Sequence, residues 1–514
     1  MKITLKSGGS LKVFEKNERC LLSDLIKESG FNAAMPCAGG QRCGKCRVSV
    51  LGGVSPMTEK EQKLLPRAPQ NIRLACMTYA EESCEVEIVT SDLNGLSDGF
   101  TSKFPYAPMA GDYGFAVDIG TTTVAVYGYD LKENRCFGKD VFVNPQSAYG
   151  ADVISRIEAS LAGNGGELSS LIVQNIQTSF LKLCRENSVE ESAVGSAVLT
   201  GNTAMLYLLL QKSVEPLSRA PFEIDDYLGH SCNASKIGFS AYSNMRLYFP
   251  RTMSAFVGSD ITCAVLSAND LMTDKKAALL IDIGTNGEMA LSSGEKLLCC
   301  STAAGPAFEG AGITMGSMAT TGAINKVWYA EGQIHYTTIE NGEPTGICGS
   351  GLIDAVAAFI EAGLIDETGC IDETAPDYIT ESGGESAIKI GDSDVIITGR
   401  DIRAVQLAKS AVCAGVYSLL HGAGLTPEMV DVLIIAGGFG SFINVKNAAK
   451  IGLIPPPLAE KAVAVGNASG MGASAILLSE SARGLSETLA KKSETVDLGT
   501  SAYFMEKYVE CMMF

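Results

Sequence analysis

The sequence is poor in the residues on which many catalytic and metal centres depend. Its 514 residues include one tryptophan and three histidines, His230, His335 and His421. A serine-histidine-aspartate triad and a Rieske-type cluster both need histidine. With so few histidines, we expect neither centre.

Basic residues and long apolar runs are also scarce. Lysine and arginine number 40 against 58 aspartates and glutamates, and the formal net charge is -18. Because such a surface repels nucleic acid and anionic membranes, we expect neither as a partner. No uncharged apolar run is long enough to cross a bilayer, and the first residues lack the apolar stretch of a secretion signal.

Cysteine, in contrast, is abundant. Without a secretion signal, the 16 cysteines are expected to be thiols or metal ligands in the reducing cytoplasm. The chain is also too long for one core. We predict a first domain over residues 1–90, a flexible linker rich in Gly, Ser, Asp and Pro over 91–112, and two further segments over 113–275 and 276–514.

The first domain alternates short strand-like runs with helical ones. Strands are expected over residues 2–6 and 11–14, and a helix over 21–28. A second helix follows Thr58, and Glu61 is placed to complete a capping box. This order is typical of the α+β fold of β-grasp ferredoxins.

Four cysteines of this domain have a spacing close to that of plant-type 2Fe-2S sites, with five residues instead of four between the first two. Cys37, Cys43 and Cys46 share one glycine-rich loop, and Cys76 follows at a distance. A cluster of this type needs four thiolates, and the glycines allow the loop to turn tightly and aim N–H groups at sulfur. We predict that these four residues bind one 2Fe-2S cluster.

Two other sites fit this loop less well. Structural zinc usually has two Cys-x2-Cys pairs, and here only Cys43 and Cys46 form one. A P-loop would require serine or threonine at the position of Cys46, after Gly44 and Lys45.

One internal repeat organises the rest of the chain. An apolar run ends in Asp118-Ile119-Gly120-Thr121-Thr122-Thr123, and a second ends in Asp282-Ile283-Gly284-Thr285-Asn286-Gly287. A strand that ends in such a turn can aim N–H groups and hydroxyls at phosphate while its aspartate holds a magnesium-bound water. Two copies imply two similar halves whose loops clamp a nucleotide.

Two later glycine clusters extend this pattern. Gly437, Gly438 and Gly440 follow an apolar strand and would let the backbone lie against an adenine ring, and Gly470 precedes a helical run. This order of motifs resembles the ASKHA superfamily, which includes acetate and sugar kinases, actin and the heat-shock ATPases. The resemblance implies an α/β fold, with a duplicated ASKHA ATPase after the ferredoxin domain.

The two parts together resemble the reductive activators of corrinoid proteins. Further segments carry this resemblance: residues 144–146, 150–153, 200–203, 256–260, 304–310 and 348–351. It implies that one electron passes from a low-potential donor, ferredoxin or flavodoxin, through the cluster to a Co(II) corrinoid protein of a methyltransferase system, giving Co(I). ATP and Mg²⁺ are further implied cofactors, and a homodimer is implied by resemblance alone.

An ATPase of this kind gives the loop residues specific roles. We expect Asp118 and Asp282 around magnesium, and Glu288 or Glu309 to position water, the alternative being a capping or surface carboxylate. Contacts to phosphate are expected from the turn residues Gly120, Thr121, Thr122, Thr123, Gly284, Thr285, Asn286 and Gly287. Lys409 could touch the nucleotide, but a solvated helix face fits it better.

Three other functions stay open from the residues alone. One is an ASKHA-type kinase of a small molecule with a redox-sensing ferredoxin domain. Another is an electron-transfer module without ATPase activity. The third, an activator of 2-hydroxyacyl-CoA dehydratases, holds a 4Fe-4S cluster between subunits, and the N-terminal cysteine pattern argues against it.

Overall fold

The structure is a computed structural model that describes residues 1–7, 10–29, 41, 46–65, 71–88, 104–150, 152–273, 275–294, 296–317, 319, 321–374, 377–437, 440 and 442–514. Of the predicted site residues, Cys37, Cys43 and Gly438 lie outside the described residues. The chain forms two compact units, Met1–Gly95 and Leu96–Phe514.

The first unit is built on one six-stranded sheet. Its elements are β1 (Lys2–Ser7), β2 (Ser10–Glu15), β3 (Cys20–Leu21), α1 (Leu22–Ser29), β4 (Arg47–Val54), α2 (Glu59–Leu64), β5 (Ile72–Leu74) and β6 (Tyr79–Ile88). The order is β2-β1-β6-β4-β5, with β3 paired to β6. Among the described strand pairs of this unit, β1 and β6 are parallel and the others are antiparallel. This is the predicted β-grasp arrangement.

The predicted capping box at α2 is only half right. The Thr58 hydroxyl accepts from Glu61 N–H at 3.1 Å, but the Glu61 carboxylate does not turn back to Thr58. It is fully buried and accepts two hydrogen bonds from Arg73 at 2.9 and 2.8 Å. It also accepts from Leu74 N–H at 2.8 Å. A buried ion pair therefore holds the chain just before Cys76.

The first half of the second unit contains a six-stranded sheet of order β11-β12-β10-β7-β8-β9. Its strands are β7 (Tyr113–Ile119), β8 (Thr123–Asp130), β9 (Arg135–Val143), β10 (Val194–Gly201), β11 (His230–Asn233) and β12 (Arg246–Phe249). The helices of this half are α3 (Val153–Ala159), α4 (Gly165–Glu186), α5 (Thr203–Leu209), α6 (Glu215–Ser218), α7 (Ser259–Ser267) and α8 (Asn269–Thr273).

The second half repeats this sheet in the order β23-β22-β13-β14-β15-β24. Its strands are β13 (Ala277–Ile283), β14 (Gly287–Ser293), β15 (Lys296–Thr302), β22 (Val432–Ala436), β23 (Ala462–Gly466) and β24 (Ser493–Thr495). Two three-stranded sheets lie between these strands in the chain: β16 (Ala323–Ala330), β17 (Gln333–Thr338) and β18 (Gly346–Ile347), then β19 (Ile379–Ser382), β20 (Glu385–Lys389) and β21 (Ile396–Thr398).

The helices of the second half pack around these sheets. They are α9 (Gly349–Glu361), α10 (Gly399–Ala423), α11 (Val445–Lys450), α12 (Ala468–Leu478), α13 (Glu480–Lys492) and α14 (Ala502–Glu510). The central strands β7 and β13 are apolar almost throughout because both their faces are covered. Helices α7 and α12 approach closely, since a Cβ on Gly472 would lie 2.0 Å from the Cys263 carbonyl oxygen.

The solvated position expected for Lys409 is wrong. Its side chain is fully buried on α10, and Nζ donates to the carbonyl oxygens of Cys511, at 2.6 Å, and Met513. The ammonium therefore anchors the chain after α14 rather than a nucleotide.

The last part of the predicted linker is hydrogen bonded. Ala107 and Met109 donate to carbonyl oxygens at the end of α12, and Glu480 donates back to Ala107 at 3.0 Å. Across the described ranges, no helix combines the length and apolar character needed to cross a membrane.

Candidate functional site

Two similar turns, residues 120–123 and 284–287, follow the central strands β7 and β13, and we call them the first and second phosphate turns. Gly120 N–H donates to the Thr123 carbonyl at 3.0 Å, and Gly284 N–H donates to the Asn286 carbonyl at 3.0 Å. A Cβ on Gly120 would lie 2.7 Å from the Thr123 carbonyl oxygen, so the first turn requires glycine. The strand-then-turn arrangement thus repeats in structure, although the first turn closes after three residues and the second after two.

Glu309 joins the two turns. It ends a short 3-10 helix, Pro306–Glu309. One carboxylate oxygen accepts from the Thr285 hydroxyl at 2.9 Å, and the other accepts from the Thr122 hydroxyl. A single side chain therefore holds both threonines that are predicted to contact phosphate.

Four carboxylates lie near one another beside these turns. Burial and the charge of Asp118 raise the pKa of Asp282 to about 7, and burial raises the pKa of Asp118 to about 6 against the hydrogen bond from Asn467. Burial and neighbouring carboxylates also raise the pKa of Asp260 and of Glu288. Four ionised carboxylates in this buried position would repel one another. The site therefore favours protonation of these carboxylates or the binding of a cation.

The carboxylates do not form a ready-made cage. Across the part of the chain that the structure describes, no three His, Cys, Asp or Glu side chains converge closely enough to hold a metal ion. Magnesium usually keeps several waters and takes one or two protein carboxylates together with phosphate oxygens. The donor set therefore fits a hydrated magnesium ion bound with a nucleotide.

Asn467, at the start of α12, connects the end of the second half to the first turn. Its Nδ2 donates to Asp118 Oδ2 at 2.9 Å, and its Oδ1 accepts from Gly470 N–H at 2.7 Å. A Cβ on Gly470 would lie 2.6 Å from the Tyr127 ring. Packing against Tyr127 thus explains why position 470 is a glycine. Its predicted contact with nucleotide stays a prediction.

Glycines 437 and 440 lie directly after β22, next to the second turn. Gly437 has φ of 88°, and a Cβ there would lie 2.5 Å from Asp282 Oδ1. Gly440 is buried, and a Cβ would lie 2.5 Å from the Ala436 carbonyl oxygen. Both positions therefore exclude a side chain for reasons of packing, and their predicted contact with adenine stays a prediction.

Several residues around the first turn were not singled out as site residues from the sequence. Asn202 donates to the Thr121 hydroxyl at 3.1 Å, and Asn144 donates to the Gly120 carbonyl at 2.8 Å. Asp260 lies in the first turn of α7 and is one of the four carboxylates described above. The segments that resemble the activator family contain all three, which was the available signal.

Arg156 is the other unanticipated charge. It is fully buried; Nε donates to the Gly150 carbonyl at 2.9 Å, Nη1 donates to the sulfur of Met205 at 3.3 Å, and Nη2 has no hydrogen-bond partner among the described residues. Burial lowers its pKa to about 10, while the charges of Asp152 and Glu309 act in the opposite direction. A guanidinium so placed adds positive potential near Glu309.

Two predicted cluster ligands lie together in the first unit. The sulfurs of Cys46 and Cys76 are 3.3 Å apart, both residues are buried, and Cys76 N–H points at Cys46 sulfur at 3.5 Å. Gln41 donates to the Cys76 carbonyl at 3.1 Å. Two thiols at this separation fit a single iron ion, and an N–H directed at sulfur is typical of iron–sulfur sites.

Three family models match the chain. Residues 6–81 match a 2Fe-2S iron-sulfur cluster binding domain, residues 113–273 the RACo middle region, and residues 276–514 the C-terminal domain of RACo, the ASKHA domain. These matches confirm the predicted fold class and the 2Fe-2S cluster.

Relatives align over most of the chain. The corrinoid activation enzyme RamQ of Eubacterium limosum is 35% identical over 527 residues, covering 95% of this chain and 86% of that protein. A [Co(II) methylated amine-specific corrinoid protein] reductase of Methanosarcina barkeri is 25% identical and covers 70% of this chain and 68% of that protein. A solved reductive activator for corrinoid, iron-sulfur protein superposes with a TM-score of 0.72 and 29% identity, covering 100% and 98%.

Proposed function

Because this chain belongs to the family of reductive activators of corrinoid proteins, we propose that it reduces a Co(II) corrinoid protein of a methyltransferase system to Co(I) and hydrolyses ATP in doing so. The observation that carries this proposal is the presence of two sites in one chain. One is a pair of buried thiols 3.3 Å apart, and the other is a pair of phosphate turns held by Glu309.

The first unit supplies the redox site. Cys37, Cys43, Cys46 and Cys76 would hold the 2Fe-2S cluster, which supplies one-electron transfer when bound. Arg73 and Glu61 hold the chain at Leu74, next to Cys76. We propose ferredoxin or flavodoxin as the low-potential donor.

The second unit would bind ATP between its two turns. Backbone N–H groups and hydroxyls of the turns would contact phosphate, and Asp118 and Asp282 would hold a hydrated magnesium ion, with Asp260 and Glu288 beside them. Gly437, Gly438 and Gly440 would accommodate the adenine ring, and Gly470 would support the segment that carries Asn467. Arg156, near Glu309, would offset the negative charge of the phosphates.

Glu309 would couple nucleotide binding to the positions of the two turns. Its carboxylate accepts from the Thr122 and Thr285 hydroxyls in the structure. Phosphate oxygens would compete for these hydroxyls, and their transfer to phosphate would leave the Glu309 carboxylate available to position water. Binding of ATP would thus replace the hydrogen bonds from the two threonines to Glu309 with hydrogen bonds from both threonines to the nucleotide.

This exchange gives ATP a way to assist an unfavourable electron transfer. A plant-type 2Fe-2S centre has a potential of about -400 mV, and we propose that reduction of Co(II) needs a stronger driving force. ATP can supply it only if the ATP-bound and ATP-free proteins differ in their affinity for the corrinoid partner. We propose that hydrolysis resets this difference, and that the protein acts in the cytoplasm as a homodimer.

The experiment starts with anaerobic reconstitution and measurement of iron and sulfide. Formation of Co(I) is then followed optically with a chemical reductant, the corrinoid protein and ATP. Thr122→Val and Thr285→Val, each of which removes one hydroxyl, should slow Co(I) formation while leaving the iron content unchanged. Cys76→Ser should abolish electron delivery while leaving nucleotide binding intact. Transfer of phosphate to a small acceptor, or equal rates with and without ATP, would reject the proposal.

A further inference from the structure

One buried carboxylate spans the segment that carries Cys76. Glu61 Oε1 accepts from Leu74 N–H at 2.8 Å and from the Thr78 hydroxyl at 3.2 Å. Leu74 lies two residues before Cys76, and Thr78 lies two residues after it. The Glu61 side chain is fully buried. A single oxygen atom therefore holds both ends of a short segment whose middle residue is a predicted cluster ligand.

Arg73 fixes the orientation of this carboxylate. Its Nε and Nη2 donate to the two oxygens of Glu61 at 2.9 and 2.8 Å, and its Nη1 donates to the Ser55 carbonyl at 2.7 Å. The Ser55 hydroxyl accepts from Tyr79 N–H at 3.0 Å. The guanidinium thus ties Glu61 to the residue after β4, which is itself bonded to the start of β6. The Cys76 clamp is our name for Glu61, Arg73, Leu74 and Thr78.

Further hydrogen bonds connect the same segment to a second predicted ligand. Ala75 N–H donates to the Cys46 carbonyl at 2.8 Å, and Met77 N–H donates to the Leu74 carbonyl at 2.8 Å. The sulfurs of Cys46 and Cys76 are 3.3 Å apart. A shift of the segment would therefore change the position of one ligand relative to the other.

The chemistry of this ion pair points to a role beyond stability. Among the ion pairs between described residues, it alone is buried on both sides, with side chains 0% and 6% exposed. Apolar residues of similar volume often stabilise a fold as well as a buried ion pair does. Stability alone therefore does not explain why two charges are buried around Cys76.

We propose that the Cys76 clamp positions Cys76 for the 2Fe-2S cluster and that the opposite charges of Glu61 and Arg73 set its reduction potential. Outer-shell hydrogen bonds orient metal ligands, and local charge and burial tune the potential of an iron–sulfur cluster. The proposal rests on the proposed ligand role of Cys76. It does not depend on ATP or on the corrinoid partner.

The two charges act on the cluster with opposite signs. Reduction adds an electron to the cluster, so a nearby positive charge raises the reduction potential and a nearby negative charge lowers it. In the intact pair these effects oppose each other. Removal of the Glu61 charge leaves Arg73 uncompensated, and removal of the Arg73 charge leaves Glu61 uncompensated. The two changes should therefore shift the potential in opposite directions, which loosened packing alone would not do.

The first test measures how firmly the full-length protein holds its cluster. After anaerobic reconstitution, an iron chelator is added, and cluster loss is followed by visible absorbance. Glu61→Ala should lose the cluster about tenfold faster than the parent, since loss of an outer-shell partner typically costs about 10- to 100-fold in metal affinity. Glu59→Ala is the matched control, at an exposed glutamate of the same helix. Equal rates in Glu61→Ala and Glu59→Ala would overturn the positioning role.

The second test measures the midpoint potential of the cluster by redox titration, with the reduced cluster detected by electron paramagnetic resonance. Glu61→Gln keeps an oxygen acceptor but removes the charge, so the potential should shift to a more positive value. Arg73→Met should shift it to a more negative value, and Glu59→Gln should leave it unchanged. Shifts of the same sign, or no shift in Glu61→Gln, would overturn the tuning role. If Arg73→Met does not fold, the sign of the shift in Glu61→Gln decides.

Cys76→Ser separates failure of this proposal from failure of the ligand assignment. Cluster binding by Cys76→Ser equal to that of the parent would show that Cys76 is not a ligand, and the clamp would lose its role with it. If Cys76→Ser loses the cluster while Glu61→Ala holds it as firmly as Glu59→Ala does, the ligand assignment stands and the clamp alone is wrong.

Discussion

The two phosphate turns share a motif but differ in their surroundings. Asp118 and Asp282 occupy the same position in the two sheets. In the antiparallel register, Asp118 lies opposite Ala125, whereas Asp282 lies opposite Glu288. The hairpin partner that is a methyl group in the first half is therefore a buried carboxylate in the second.

A further difference concerns the hydrogen-bond donors to each aspartate. Asp118 accepts from Asn467 at 2.9 Å, and no such donor to Asp282 is found among the described residues. This contrast fits the pKa values of about 6 for Asp118 and about 7 for Asp282. Duplication thus preserved the turn while the charge of each half diverged, which makes the second half the more dependent on a bound cation.

The largest expected effect comes from removing the group that the two halves share. Glu309→Ala should lower the rate of ATP hydrolysis by about 100-fold or more, because positioning water contributes at least that factor. Steady-state phosphate release measures it, with Glu343→Ala as a control at an exposed glutamate. A near-normal rate in Glu309→Ala would leave Glu309 as only a structural link between the turns.

The second prediction separates the two aspartates by pH. A cation binds the ionised carboxylates, so Mg-ATP affinity should rise between about pH 5 and pH 8 as Asp118 and then Asp282 lose their protons. Asp282→Asn should remove the upper part of this rise and Asp118→Asn the lower part. Calorimetric titration over this range measures it. Identical pH profiles for the two variants would contradict the prediction that Asp118 and Asp282 lose their protons at different pH.

The third prediction concerns the stability of the protein without nucleotide or divalent cation. Carboxylates with raised pKa bind more protons in the folded state, so the free energy of unfolding should fall as pH rises from about 4 to about 7. Glu288→Gln replaces a buried carboxyl group whose ionisation is unfavourable, so it should raise that free energy at high pH and make its fall with pH shallower. Thermal unfolding of this variant and of the control Glu343→Gln tests it. A loss of stability would show that Glu288 makes a favourable contact.

The smallest effect is expected at Asn467. Asn467→Ala removes the donor to Asp118, which should raise the pKa of that aspartate and cost about 1 kcal/mol of Mg-ATP binding near pH 6. At pH 8 the variant should bind nearly as the parent does. A loss of the same size at both pH values would point to a role for Asn467 in contact with the nucleotide.

Much of this organisation was predictable because it depends on local patterns. The two Asp-x-Gly-Thr runs predicted the paired turns, since a glycine directly after an apolar strand allows the sharp turn that other residues disfavour. The cysteine spacing predicted the cluster in the same way.

Features that depend on distant contacts could not be predicted in the same way. Asn467 and Glu309 reach the first turn from far along the chain. Lys409 has the helical position of a solvated residue but is buried by the chain after α14. Glu61 fits a capping box by spacing, yet its carboxylate accepts hydrogen bonds from Arg73 and Leu74 instead. In each case a tertiary partner decides what a local pattern leaves open.

The central claim is that ATP bound between the two turns drives electron delivery from the first unit to the corrinoid. The most direct measurement is the rate of Co(I) formation by the reconstituted protein with a fixed reductant, compared between ATP, a non-hydrolysable ATP analogue and no nucleotide. We predict sustained Co(I) formation with ATP, at most one turnover with the analogue, and little without nucleotide. Equal rates in all three reactions would contradict the account.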